Sequence, residues 1–405
     1  MSMPVATGQE PRQGSRAGDI ALPPAAVALE PDFDFLSGEY RELFEASCAT
    51  AFQHPAWLDA FYRTMMAPHD AEKLVVTGRD GTTGALLFVL PLLRRRRAGV
   101  ALIEAAHLGV GDYAHPVVLP ELRGEDFVAA VEAVLPPYDI LNIRPVREEA
   151  IRLFRSFLPG QFATLDFCAH AAALSAPFTA WRDQALEAGF RKYLDRKKRR
   201  FLKAGKVELE RVDADFRDAI DLVASIRVGR FKDDILQNAY AREFYADVAA
   251  KGGGFARVYR LKLDGADVAQ AFGLVLGGRF HYLLIGADYE RFGKHSPGLV
   301  LYDLLIEQWI AEGGTVFDFT IGDEAFKLDF GTAPTQMHAL VQTATLKGWL
   351  ALSTFDALRG LRRWKADAKP AALLAALKGA LRRLVVKAAV TMTMVHPLTE
   401  YAALV

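Results

Sequence analysis

Hydrophobic spacing divides the chain into two stretches of the same order. From Phe52 the run FQHPAWLDAFYRTMM places Trp57, Phe61 and Met65 four apart with Pro55 in the first turn, which predicts a helix packed along one face. KLVVTG, the pair Asp80-Gly81 and then ALLFVLPLL read as two strands joined by a tight hairpin. Residues 126–135 predict a short amphipathic helix, and 138–143 a buried strand. The second stretch begins with a long basic helix over 181–204 and amphipathic helices over 214–231 and 240–251. ARVYRLKL, the turn Asp264-Gly265, AQAFGLVLG and RFHYLLIGAD then predict three strands. A helix over 297–312 leads into a strand carrying Val316, Phe317 and Phe319 and ending at Ile321. The two Asp-Gly turns, each ahead of an apolar strand, predict one module used twice. Strand meander, helix, strand is an α+β order, unlike the strict alternation of a doubly wound sheet.

At 405 residues the chain exceeds one ordinary core, so two domains are expected. Residues 1–30, rich in Ala, Pro, Gly and Gln without an apolar period, read as a disordered tail. Lys+Arg and Asp+Glu each total 49, so no global field steers the chain toward DNA. The two cysteines, Cys48 and Cys168, lack CxxC or Cys/His ligand spacing, which speaks against a disulfide scaffold or a zinc site and for a reducing, cytoplasmic setting. Both read as small buried hydrophobes. No apolar run has the length of a membrane span. No glycine-rich phosphate loop follows a strand, so dinucleotide and P-loop chemistry are not indicated.

Two loops concentrate chemistry. Gly322-Asp323-Glu324, followed by Phe326 and Lys327, puts a carboxylate and an ammonium four residues apart at the end of a strand. Upstream, Ser296-Pro297-Gly298-Leu299 opens a helix whose first N–H groups have no internal partner, with Arg291, Lys294 and His295 just before it. Such an end suits an anionic phosphate. Equally, Ser296 is a good N-cap and Pro297 a good first helical residue.

The segment from Gly286 to Gly331, with Asp288, Ser296-Pro297-Gly298, Phe317-Asp318, Gly322-Asp323-Glu324 and Phe326-Lys327, resembles the CelD/BcsL-type acyltransferases. These are relatives of the FemAB aminoacyl transferases in the GNAT superfamily. Phe52 to Leu58, the basic Arg191 to Gly205 helix and Arg227 to Phe231 are similar to other elements of that family, although Phe231 and Phe326 stand where it favours Trp and Tyr. The resemblance implies two tandem GNAT-like domains, each a mostly antiparallel mixed sheet flanked by helices, over 31–175 and 176–350, with basic amphipathic helices over 351–405. It also implies transfer of an acyl group from acetyl-CoA, another acyl-CoA or an acyl carrier protein to a small-molecule or glycan acceptor, in envelope or polysaccharide metabolism and without a metal. A turn of Lys294, Ser296, Pro297, Gly298 and Leu299 would then hold the donor.

Amine acyl transfer needs a base, donors for an oxyanion and an acid for the leaving thiolate. Asp323 would be base or acceptor anchor, and Lys327 would meet donor phosphate or oxyanion; alternatively the two pair across one helical turn. Asp288 faces the acceptor or ends a strand. Tyr282 donates a proton to the thiolate or packs, Gln270 contacts substrate or is an ordinary strand polar, and His281 is a catalytic group or an ordinary strand polar. Arg230 and Lys232 line the acceptor pocket or solvate a helix end. Nine cations between Arg191 and Lys206 fit a solvated face, an acidic carrier protein, an anionic glycan or lipid, or a charged tRNA as in FemAB-like transfer. Residues 355–390 suit peripheral membrane contact or packing on the domain. The rival to an enzyme is a non-catalytic scaffold of a polysaccharide-synthesis assembly.

Overall fold

Each Asp-Gly pair closes a hairpin in the computed structural model, which describes residues 25–122, 126–230 and 233–367. In the first half β1 (Ala25–Leu29), β2 (Ala71–Asp80), β3 (Leu86–Arg97) and β4 (Val100–Ala105) lie side by side and antiparallel, with β5 (Val117–Val118) against β3. After the Val128–Val134 helix, β6 (Ile140–Arg147) joins β4 in parallel. The second half repeats the plan. β8 (Val207–Val212), β9 (Ala256–Leu263), β10 (Ala266–Leu276) and β11 (Arg279–Ala287) are antiparallel, and β12 (Val316–Ile321) joins β11 in parallel after the Pro297–Ala311 helix. A parallel partner cannot be reached by a tight turn, which is why a helix intervenes at both places.

The last strand of each half crosses to the other. β7 (Gln161–Ala173) pairs with β12, and β13 (Ala333–Thr343) pairs with β6. β7 and β13 also pair with each other, giving one sheet in the order β1-β2-β3-β4-β6-β13-β7-β12-β11-β10-β9-β8. One core, including Phe52, Trp57, Tyr113, Phe244 and Phe272, takes side chains from both halves. A second, around Tyr282, Tyr302, Phe319 and Phe330, belongs to the second half, and a third, around Phe88 and Phe157, to the first.

Two expectations are corrected. Ala25–Leu29, within the anticipated tail, pairs with β2 as an edge strand. The long basic helix is two, Phe178–Ala185 and Ala188–Leu202, because Leu186 turns to an extended conformation and buries its side chain. The Leu346–Asp367 helix follows β13, while the rest of the basic C-terminal region, including Pro370, lies outside the described residues. No described helix is long and apolar enough to cross a membrane.

Candidate active site

β11 and β12 pair only from Arg279/Val316 to His281/Asp318 and then part, leaving a fork. Both strands are irregular there. Gly273 faces Tyr282 while Phe272 faces Leu284, so Leu283 is the extra residue of a β-bulge. On β12 the register shifts between Asp318 and Ile321, and Thr320 has φ +58°, a costly conformation for a β-branched residue. Asp318 Oδ1 accepts the Thr320 N–H at 2.8 Å, and the Thr320 hydroxyl donates to Tyr282 O at 3.2 Å, across the fork. Strain of this kind persists only where its surroundings enforce it, and it collects at functional sites.

The open edge of β11 carries peptide groups that no strand uses. Asp288 N–H donates to Val268 O, which makes Ala269 and Ala287 a non-hydrogen-bonded pair. The N–H and C=O of Ala287, and of Ile285 two residues earlier, therefore point away from β10 and toward the fork. Arg227 and Arg230 cap the two carbonyls, donating to Ile285 O and Ala287 O at 2.8 Å each. The two N–H groups share that side of the strand.

The first half has the same fork between β4 and β6, and there the chain fills it. Ala114 N–H donates to Pro145 O at 2.8 Å and Ala114 bridges Val146. The cavity beside this plug is ≈ 10 Å³, about one water. The plug leaves through Gly111, Asp112 and Tyr113 and carries Asp112 to the second fork. Tyr113 fixes that path: Gln53 Nε2 donates to Tyr113 O at 2.9 Å, and the Tyr113 hydroxyl donates to Asp318 Oδ1 at 2.9 Å. Asp112 is half-buried, and loss of water pushes its carboxyl up to about 7. A hydrogen bond with Thr320 and the Lys327 ammonium act in the opposite sense, while Asp318 and Glu324 add to the rise. With one proton, the Thr320 hydroxyl cannot donate to both Tyr282 O and Asp112. A protonated Asp112 donating to Thr320, which donates onward to Tyr282 O, satisfies all three groups.

The residues expected from sequence occupy other stations. Lys327 is buried, donates to Ile321 O at 2.8 Å and Gly322 O at 3.0 Å, and pairs with Glu324 at 2.9 Å rather than with Asp323. Its three N–H groups are thus spent on closing the 321–327 turn. Asp323 ties that turn to β7, accepting from the Cys168 N–H and contacting His170 Nε2 at 2.9 Å. Asp288 caps the short Tyr289–Phe292 helix, accepting the Arg291 N–H at 2.9 Å. The Tyr282 hydroxyl accepts from Tyr302 at 2.8 Å, and burial pushes its pKa upward. Gln270 is fully buried opposite Gly286, and both of its amide atoms lack a hydrogen-bond partner among the described residues. Arg230 reaches the fork edge and lies 4.1 Å from the centre of the Tyr289 ring. Lys232, with Phe231, lies outside the described residues.

Ser296 sits at φ +54° before the Pro297–Ala311 helix and makes no side-chain cap. A Cβ on Gly298 would stand 2.5 Å from the Tyr289 hydroxyl, so glycine is what lets that ring approach the helix start. Leu299 is half-buried in the first turn, and the Lys294 carbonyl accepts from Lys197 Nζ at 3.2 Å. The basic helix therefore flanks this loop. Its Arg191 and Lys198 pair with Asp183 and with Asp303 and Glu307, whereas Lys192, Arg196, Arg199, Arg200 and Lys203 face solvent.

Residues 188–328 match the acetyltransferase (GNAT) domain, and the open fork lies within that matched stretch. The described residues have a GNAT-like architecture. The chain is similar in fold to FemX, with 14% identity, 74% of this chain and 94% of that one covered, and a TM-score of 0.52. It is similar also to L-PGS from Bacillus licheniformis, with 13% identity, coverage of 83% and 98%, and a TM-score of 0.51. No curated protein matches the chain in sequence.

Proposed function

We propose that the chain transfers an acyl group from a thioester to an amine or hydroxyl acceptor at the second fork, with Asp112 as general base. The observation that carries this reading is the Asp112 carboxyl set against a strained threonine where two parallel strands part, with loss of water pushing it up to about 7. A base poised near working pH gives the best product of correct protonation and driving force. The acceptor loses its proton to Asp112 and attacks the thioester carbonyl, forming the new C–N or C–O bond. The oxyanion is met by N–H groups on the open edge of β11, where charge stabilisation is strongest away from water. Collapse breaks the C–S bond, and the thiolate takes up the proton that Asp112 received. No covalent enzyme intermediate is required.

Asp323 and Lys327 act here by shaping the turn that ends β12, and Asp288 by capping. The loop from Lys294 to Leu299, flanked by the basic helix, takes the donor's anionic part, whether acyl-CoA or acyl carrier protein, once Tyr289 swings aside. A CelD/BcsL-type role in envelope polysaccharide metabolism, in the cytoplasm or at the membrane surface, rests on the sequence resemblance. A scaffold has no use for a carboxyl tuned to pH 7. The test is thiol release from acetyl-CoA, longer acyl-CoAs and an acylated carrier protein, with amino sugars and amino acids as acceptors. Activity that rises with pH through about 7 and falls at least a hundredfold in Asp112→Asn supports the reading. Undiminished turnover in Asp112→Asn overturns it.

A further inference from the structure

A separate cavity of ≈ 490 Å³ lies where the halves meet. Ala49, Thr50, Tyr113 and Arg147 line it from the first half, and Arg279 and His281 from the second. Its size is that of a small-molecule site. Between the two arginines sits Asp318, with no exposed surface: Arg279 donates to its Oδ2 at 2.9 Å, and Arg147 stands 3.8 Å from the same oxygen. Its other oxygen is taken by Tyr113 and Thr320. One carboxylate is thus shared by two guanidiniums. Arg147 also pairs with Glu149, but that side chain is 59% exposed, where water weakens the attraction. Glu45 at the rim is exposed as well.

Inside the cavity two guanidiniums thus meet one buried carboxylate, with Glu45 and Glu149 on the lining, and both arginines are planar groups suited to bidentate recognition of carboxylate or phosphate. A second feature points the same way. His281 is 3% exposed, and its Nδ1 has no hydrogen-bond partner among the described residues. Burial holds the ring neutral at ordinary pH, so Nδ1 can donate to or accept from a bound molecule, according to tautomer. A buried polar atom left unsatisfied is costly, and a ligand group would relieve the cost.

We propose that this cleft binds a small molecule through a single anionic group, carboxylate or phosphate, clasped between Arg147 of one half and Arg279 of the other, with His281 hydrogen-bonding its polar body. Because the clasp draws on both halves, it forms only when they are seated together. The proposal concerns binding and stands whether or not the fork performs acyl transfer.

Calorimetric titration of the full chain with glucosamine 6-phosphate, glutamate and glucosamine, which lacks an anionic group, tests it. At least one anionic probe binds, glucosamine does not, and the phosphate and carboxylate arms decide which anion is preferred. Arg147→Gln and Arg279→Gln each weaken binding about tenfold or more. Since Arg279→Gln also disturbs buried Asp318, Ala49→Trp serves as the second variant: it fills the cleft, leaves both ion pairs in place and abolishes binding. Arg217→Gln, on an exposed arginine elsewhere, leaves the affinity unchanged, as does Asp112→Asn. Binding that survives Ala49→Trp, equal binding of glucosamine, or no heat from either anion at about 10 mM, an affinity of only ~3 kcal/mol, overturns the proposal.

Discussion

Replacing Asp112 with asparagine should make the protein more stable and less active, and the stability gain should depend on pH in a fixed direction. The carboxyl moves from an ordinary 3.8 to about 7 on folding. Between those values the native state holds a proton that the unfolded chain has released, so native stability falls as pH rises through the window. Below about 3.8 both states are protonated and the penalty vanishes; above about 7 it is complete. A shift of about three units corresponds to ~4 kcal/mol, and partial exposure of the carboxyl lowers the expectation to ~2–3 kcal/mol. Asparagine keeps the shape and a hydrogen bond to Thr320 without the charge, so it escapes the penalty. His54, His107 and His281, held near 4 by burial, destabilise the fold as pH falls from 6.5, but equally in both proteins. Urea unfolding of the two proteins at pH 4.5, 6 and 8 should show a difference of about a quarter of its full size at the lowest pH, growing to its full size at the highest. A pH-independent difference, or a variant less stable at pH 8, would refute both the raised pKa and its cause.

Three other substitutions separate support from chemistry. Lys327→Met should cost ~2–4 kcal/mol by stranding Ile321 O, Gly322 O and Glu324. It also removes the ammonium that lowers the Asp112 pKa, so the pH–rate limb of the remaining activity should move to higher pH. Thr320→Gly relieves φ +58° but loses the bond to Tyr282 O; chemical denaturation should find its stability within ~1 kcal/mol of wild type while turnover falls at least about tenfold. Gly331→Ala puts a Cβ 2.7 Å from Ala185 O at φ +70°, and should cost ~1–3 kcal/mol in the same unfolding assay with no change in the pH–rate profile.

What the sequence could reveal tracks how each element is buried. β2, β3, β10 and β11 were legible because their own side chains alternate or run apolar between Asp-Gly turns. β7 and β13 were not: QFATLDFCAHAAA and APTQMHALVQT are mixed and small, and they occupy the centre of the sheet because neighbouring strands and the two cores cover them. Exchange of strands between halves leaves no local mark, since its cause is long-range pairing. The Lys294–Leu299 loop and the Gly322–Lys327 turn both lie in the second half, but the polar side chains that stand out beside them in sequence, Asp323, Lys327 and Asp288, make bonds that close turns. Asp112 had a signal of its own. From Ala105 to Leu119 it is the sole acidic or basic side chain apart from histidines, set after Gly109-Val110-Gly111 in an otherwise apolar run. A lone carboxylate in such a run either distorts the core or is placed for use.

The exchange also explains why two similar halves need not hold two similar sites. Both forks arise from a parallel pair that separates after three residue pairs. In the first, the chain after β4 returns into the gap and spends its backbone bonds on β6; in the second, β11 ends in Asp288, whose cap turns the chain into the short Tyr289–Phe292 helix and away. The plug of one fork thereby becomes a wall of the other, and Asp112 reaches Thr320 because Tyr113 is held at both ends, by Gln53 and by Asp318. Cutting that tether should be as damaging as removing the carboxyl while leaving every group at the fork in place. Tyr113→Phe keeps the ring against Phe52 and removes only the hydroxyl on buried Asp318. It should lower the maximal rate without abolishing the dependence on a group near pH 7, whereas Asp112→Asn abolishes that dependence. If the two variants gave the same flat profile, Tyr113 would be acting on the proton itself and not by holding its neighbour in place.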